Sequence, residues 1–285
     1  MTAFKRLKDA LSSAQAFLFV PGNRPERFSK ALATHAHAVI IDLEDAVPLA
    51  QKQDARHMLL EALPDLLKEF SSRIVLRINA YGTPFFHEDL ELVKKLGINA
   101  VLLPKAESKA QLAEIESKLQ RPVWIIPMIE SAQGIDQMKD IASHPSVVRL
   151  TLGNIDLQAN LGMACGADEL ELLPLRYQMT VMSRLFELAA PIDGVTVNLT
   201  SDQIIQGDIA RGKRLGFTAK LCIHPAQVDP VIAGFRPSDA DIEKAKAIVL
   251  ADANAAGGAV QLDGKMVDRP VVLMAKLVLQ QAGIQ

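Results

Sequence analysis

Two carboxylates close separate apolar runs, Glu130 after residues 123–129 and Asp156 after residues 147–155. Between them they offer only oxygen, which suits a hard divalent cation, Mg²⁺ with Mn²⁺ as the substitute, more than the nitrogen and sulfur ligands of a structural zinc site. Such an ion polarises a carbonyl or hydroxyl oxygen. The same two acids could instead cap the following helix or pair with a neighbouring lysine. A third run, residues 74–79, carries Arg77 and ends in Asn79. An arginine in an otherwise buried run needs an anion. That anion is either a substrate carboxylate or enolate oxygen, or one of the acids Asp42, Glu44 and Asp45 at the exit of the preceding run. Three direct ligands from that trio would over-neutralise a divalent ion, so the expectation is that they support Arg77 and Lys105.

Lys105 leaves a fourth run, residues 100–104. A Schiff-base lysine requires a depressed pKa, and an acidic neighbourhood raises it instead. His224 ends a further run and is either a base or a backbone partner, while His35 and His37 precede a run at its wrong end for chemistry. Arg24, Arg27 and Lys30 form either a site for a phosphate-bearing ligand or a solvated basic face. No Gly-x-Ser-x-Gly, P-loop or His-Glu-x-x-His motif occurs.

These groups must be positioned by strands. Short apolar runs at 16–20, 38–45, 73–79, 100–104, 123–130, 147–153, 194–197 and 219–223 alternate with helical patterns, for example 48–70, 108–119 and 174–190. Ser108 and Gln111 have capping-box spacing, and Gly97 and Gly216 are helix stops. Residues 156–167 read as a loop. Eight strands apolar on both faces, each followed by a helix, predict an α/β (β/α)₈ TIM barrel. An open dinucleotide-binding sheet would need a Gly-rich first turn, and Pro21-Gly22-Asn23-Arg24 is not one. Functional residues then gather at the C-terminal rim.

The chain has 285 residues, enough for one barrel spanning 1–235 plus a C-terminal helical extension, 236–285, with a hinge-like stretch at 255–259. That extension is a lid or oligomerisation arm, or else a passive cap on the barrel. A net charge of −2 offers no field for nucleic acid. No run is long and apolar enough for a membrane span or a secretory leader, so a cytoplasmic protein with Cys165 and Cys222 reduced is expected.

Six motifs in order carry a resemblance: residues 19–28 (Phe19-Val20-Pro21-Gly22-Asn23-Arg24-Pro25-Glu26-Arg27-Phe28), 41–47, 77–79, 103–105, 127–131 and 222–228. Together they resemble the HpcH/HpaI aldolase/citrate lyase family, in its citrate lyase beta-subunit-like acyl-CoA lyase branch. The resemblance implies a Mg²⁺-dependent carbon–carbon lyase acting on a 3-hydroxyacyl-CoA thioester of the malyl-, citramalyl- or citryl-CoA type. By the same resemblance Glu130 and Asp156 are the metal ligands and Arg77 binds substrate, with Arg24 and Asn79 as substrate or CoA contacts. Asp268, in Met266-Val267-Asp268, is similar to a lid aspartate that serves as acid/base in a neighbouring subunit's site, which implies a homotrimer or hexamer. Two stretches depart from the pattern: Asn154-Ile155 before Asp156, and Asn198-Leu199-Thr200. Two alternatives stay open, a CoA-independent class II 2-oxo-acid aldolase and a citrate lyase beta subunit that works only with an acyl-carrier partner.

Overall fold

The computed structural model describes residues 3–199, 201–254, 260–262 and 265–284. Helix α1 (Ala3–Ser13) precedes β1 (Ala16–Pro21), α2 (Phe28–Leu32), β2 (Ala38–Asp42), α3 (Lys52–Phe70), β3 (Ile74–Arg77), α4 (Phe86–Leu96) and β4 (Ala100–Leu103). The barrel continues through α5 (Lys109–Leu119), β5 (Trp124–Ile129), α6 (Ala132–Asp136), α7 (Met138–Ala142), β6 (Thr151–Leu152) and α8 (Asn154–Leu161). Next come α9 (Leu173–Leu185), β7 (Ile192–Asp193), α10 (Asp202–Arg214), β8 (Ala219–Cys222) and α11 (Val228–Phe235). The eight strands β1–β8 form a closed parallel barrel, β1 pairing with both β2 and β8. Every residue of β2, β3, β4 and β8 is buried, as a sheet covered on both faces requires.

Local signals explain several boundaries. Ser108 and Gln111 form the reciprocal capping box of α5, and Gly97 ends α4 in the left-handed region. Other boundaries move. Residues 147–150 run beside β5 with a single bridge from Val147 to Ile125, so β6 proper is only two residues long. Helix α8 takes residues 154–161, so the loop expected at 156–167 is confined to 162–167, and Asp156 sits in a first helical turn and not at a strand end. An acid there faces the positive end of the helix dipole. The seventh strand is Ile192–Asp193, ahead of the expected 194–197, because the buried Asp193 carboxylate is tied to the Arg176 guanidinium at 2.9 Å.

Chain contacts divide the protein into two compact units, Met1–Ile232 and Ala233–Gln285, the division falling inside α11. The second unit contains α12 (Asp239–Asn254), a hairpin of β9 (Val260–Leu262) and β10 (Lys265–Val267), and α13 (Arg269–Gln281). Its own small core joins Ala245, Ile248, Val267, Val272, Ala275 and Leu279. The hinge-like stretch 255–259 lies outside the described residues. Among the described residues, no helix is long and apolar enough to cross a membrane.

Candidate active site

Barrel strands deliver side chains to one mouth because parallel strands share a direction. A cavity of about 410 Å³ opens there, lined by Asp42, Asp45, Arg77, Glu130 and Asp156 together with Phe19, Val195, Leu221 and Ile223. A larger cavity of about 590 Å³, lined by α10 and the segment 167–173, contains none of the candidate residues.

Arg77 ends β3 with its guanidinium forked onto Asp42: Nε donates to Oδ1 and Nη2 to Oδ2, each at 2.6 Å. Its Nη1 stands 2.8 Å from Glu44 Oε2 and 3.8 Å from Asp45 Oδ2. The guanidinium also lies 4.8 Å over the Phe19 ring. Burial alone would lower its pKa, but the surrounding carboxylates outweigh that and hold it charged. Burial likewise raises Glu44, against the pull of Arg77 and Lys105.

Lys105 connects the acids. Its Nζ donates to Glu44 Oε1 at 2.7 Å and lies 3.7 Å from Asp156 Oδ1, while its backbone N–H donates to Glu130 Oε1 at 2.7 Å. Burial pushes its pKa down, yet Glu44, Glu130 and Asp156 raise it overall. This is the opposite of what Schiff-base chemistry needs. Its φ of 46° is left-handed, unusual for a side chain with a Cβ.

Glu130 is almost completely buried, and its carboxyl is pushed up to about 8 by burial, then by the charges of Glu44 and Asp156. An acid kept neutral by burial and by neighbouring acids is a place where a cation would release a proton and bind. The lone Glu130–Asp156 pair fits Mg²⁺, which takes one or two carboxylates and keeps water and substrate in its other positions. Among the described residues there is no group of three or more His, Cys, Asp and Glu arranged for a metal.

Gly153, passed over in the sequence, and Asn154, noted there only as a departure from the family pattern, shape this centre. Gly153, immediately before α8, packs so closely on Glu130 that a Cβ would lie 2.6 Å from Glu130 Cβ and 3.0 Å from its Cδ. Asn154 is buried, accepts from the Val195 N–H at 2.9 Å and donates to the Val195 carbonyl at 3.1 Å and to Glu169 at 2.7 Å. The signal available was a glycine placed between a buried strand and an acid. Glu169 in turn links the guanidiniums of Arg176 and Arg211, a buried network beneath α8.

Other candidates lie apart. Asn79 is buried but spends its backbone and side-chain N–H on Asp89 Oδ2, and it does not line the cavity. Arg24 is exposed, paired with Glu26 at 2.7 Å, and is also absent from the lining. Asp268, in the second unit, caps α13 by accepting from the Val271 N–H at 3.3 Å. His224 likewise caps a short 3₁₀ turn through Nδ1. Cys222 is buried, its thiol pushed up to about 12 by desolvation, and Cys165 is also free.

Fold and mouth define a TIM-barrel enzyme with an acidic, cation-ready centre buttressed by an arginine. The HpcH/HpaI aldolase/citrate lyase family model matches residues 15–225. The chain is 34% identical over 274 residues to the citrate lyase subunit beta-like protein of Deinococcus radiodurans, covering 93% of this chain and 96% of that one. It is 31% identical to a (3S)-malyl-CoA thioesterase of Cereibacter sphaeroides, with 94% of each chain covered. Among solved structures, protein CitE from Mycobacterium tuberculosis, in complex with magnesium, acetoacetate and coenzyme A, superposes with a TM-score of 0.84. It shares 34% identity, and the match covers 95% of this chain and 99% of that one. The chain belongs to the HpcH/HpaI aldolase/citrate lyase family and is a lyase of its citrate lyase beta-like branch.

Proposed function

We propose that the protein is a Mg²⁺-dependent lyase that cleaves, or forms, the C–C bond of a 3-hydroxyacyl-CoA thioester. The observation that carries this reading is Glu130, a buried acid crowded by Asp156 and Glu44 beside a fixed arginine. Glu130 and Asp156 would hold the ion, which would supply Lewis-acid polarisation of the substrate's hydroxyl or oxo oxygen. Arg77 orients the substrate carboxylate or the enolate with the N–H groups that its fork to Asp42 leaves over. Lys105 keeps Glu44 from repelling that anion and holds Glu130 in place through its backbone N–H. Apolar walls at Phe19, Leu152 and Leu221 exclude water from the enolate.

Asp268 is the proposed general acid/base, carried by the second unit as a lid. That unit's exposed Leu273 and Met274 support an oligomer arm and a homotrimer or hexamer, in a cytoplasmic enzyme. A malyl-CoA thioesterase among the relatives gives hydrolysis of the thioester as the second reading. Incubation of malyl-, citramalyl- and citryl-CoA with the purified protein and Mg²⁺ decides between them. Release of acetyl-CoA with an oxo acid supports the lyase; free CoA with the intact hydroxy acid supports the thioesterase. Asp156→Asn abolishes the Mg²⁺-dependent rate, and undiminished turnover would remove Asp156 as a ligand.

A further inference from the structure

One strained residue outside the mouth grips the start of α8. Glu169, between α8 and α9, has φ of 45° and ψ of 41°. A residue with a Cβ adopts this left-handed region only where its surroundings impose it. Its side chain is 14% exposed and does not line the mouth, yet it joins three helices. Asn154 Nδ2 on α8 donates to Oε1 at 2.7 Å. Oε2 takes Arg211 Nη2 on α10 at 3.1 Å, together with Arg176 Nη2 on α9.

Neutralising the two arginines does not require Glu169. Arg176 also holds Asp193 and Arg211 also holds Asp208, each at 2.9 Å. What Glu169 adds is the direction of the Asn154 amide. One amide proton goes to Glu169 and the other to the Val195 carbonyl at 3.1 Å. The amide oxygen is thereby turned to the Val195 N–H, at 2.9 Å. Space enforces the same fit, since a Cβ on Gly194 would lie 2.1 Å from that oxygen. Asn154 is the first residue of α8, and Asp156, two residues on, lines the mouth. The two-residue β6 gives this helix start little other support.

Resting on Asp156 as a ligand of the ion, we infer that Glu169 is a positioning residue. Through Asn154 it fixes the start of α8 against Val195, and so sets where the Asp156 carboxylate stands.

Three variants of the full chain test this: Asn154→Asp, the same change combined with Glu169→Gln, and Glu169→Gly. Asn154→Asp sets a carboxylate against Glu169 and the Val195 carbonyl. Adding Glu169→Gln reverses the hydrogen bond at unchanged net charge, the glutamine amide donating to the new carboxylate while its oxygen keeps the arginines. Glu169→Gly relieves the backbone and removes the anchor. Readouts are hydrogen exchange across residues 153–161 in the metal-free protein, Mg²⁺ affinity by calorimetry, Tm, and kcat with citramalyl-CoA.

Asn154→Asp and Glu169→Gly are expected to speed exchange in α8. Each lowers Mg²⁺ affinity and kcat about tenfold, the lower end of what outer partners of a metal ligand contribute. Glu169→Gly keeps a Tm close to the parent's, because relief of strain offsets the lost hydrogen bonds. The paired variant recovers most of the affinity that Asn154→Asp loses. Glu169→Gly with the parent's α8 exchange and Mg²⁺ affinity would overturn the inference, as would a paired variant no better than Asn154→Asp alone. An Asp156→Asn protein that bound Mg²⁺ like its parent would overturn the ligand reading instead; faster α8 exchange in Glu169→Gly would still uphold the hold on α8.

Discussion

Gly153→Ala is the smallest change that reaches the centre of the site. The glycine's φ of −96° and ψ of 77° do not demand glycine, so the substitution acts through contact and not through backbone strain. The new methyl would sit 2.6 Å from Glu130 Cβ and 3.0 Å from Cδ, where ordinary contact begins at 3.4 Å. Because Cβ is among the atoms struck, rotating the Glu130 side chain does not relieve the overlap. Either β5 or the start of α8 must yield by about 1 Å, and a misplacement of that size costs on the order of 10²-fold in rate. That corresponds to about 2.7 kcal/mol of transition-state stabilisation. Overpacking separately lowers folding stability by about 1–3 kcal/mol.

Three measurements separate these effects: Mg²⁺ affinity by calorimetry, kcat with citramalyl-CoA, and urea unfolding of the metal-free protein. Affinity and kcat fall together while the protein still folds. Gly207→Ala, inside α10 with open space around its Cα, is the control and is neutral or slightly stabilising. A Gly153→Ala protein that bound Mg²⁺ and turned over like its parent would refute the close packing of Gly153 on Glu130 and any role for that carboxylate.

Glu130 is protonated up to about 8 in the folded chain against an ordinary 4.5, so folding takes up a proton between those values. Metal-free stability therefore falls as pH rises through that window, by at most about 5 kcal/mol, and Mg²⁺ raises the Tm more at about pH 8 than at about pH 6. An equal or smaller Mg²⁺ shift at the higher pH in scanning fluorimetry would contradict this. Borohydride added with pyruvate leaves Lys105 unmodified by mass spectrometry, since its amine is held protonated; a trapped adduct would contradict that. Asp268→Asn lowers kcat about 10²–10⁴-fold with Tm unchanged, because asparagine caps α13 equally well. An unchanged kcat would confine Asp268 to capping.

The barrel was readable because its signals are local and repeated. Eight apolar runs, the Ser108–Gln111 box and the stops at Gly97 and Gly216 each follow from nearby residues. The errors fell where a distant partner decides the outcome. Asp193 can lie in a strand only because Arg176, on α9, neutralises it, so β7 ends on an acid that the expected run 194–197 left out. Residues 147–153 read as one strand and 156–167 as a loop, whereas the strand shrinks to Thr151–Leu152 and helix α8 occupies 154–161, where Asn154 is anchored to Val195 and Glu169. Arg149 shows the same limit. It is fully buried without a carboxylate, donating instead to the carbonyls of Leu11, Ala14 and Ala190, a set of acceptors no sequence spacing encodes.

Lys105 shows why the charged half of the mouth was partly legible and its geometry was not. Its charge and its place after a strand could be read, and from them its acidic company. Its left-handed backbone could not, since glycine or asparagine is the usual occupant of that region. Strain of this kind costs on the order of 1–3 kcal/mol and persists only where surroundings impose it. Here the imposed turn lets one residue aim its N–H at Glu130 and its ammonium at Glu44, 2.7 Å away in each case. Glycine would relieve the backbone and lose the ammonium; a lysine on extended backbone would keep the charge and lose the grip on Glu130. Only a strained lysine does both, so the strain belongs to the arrangement that holds a buried acid ready for a cation.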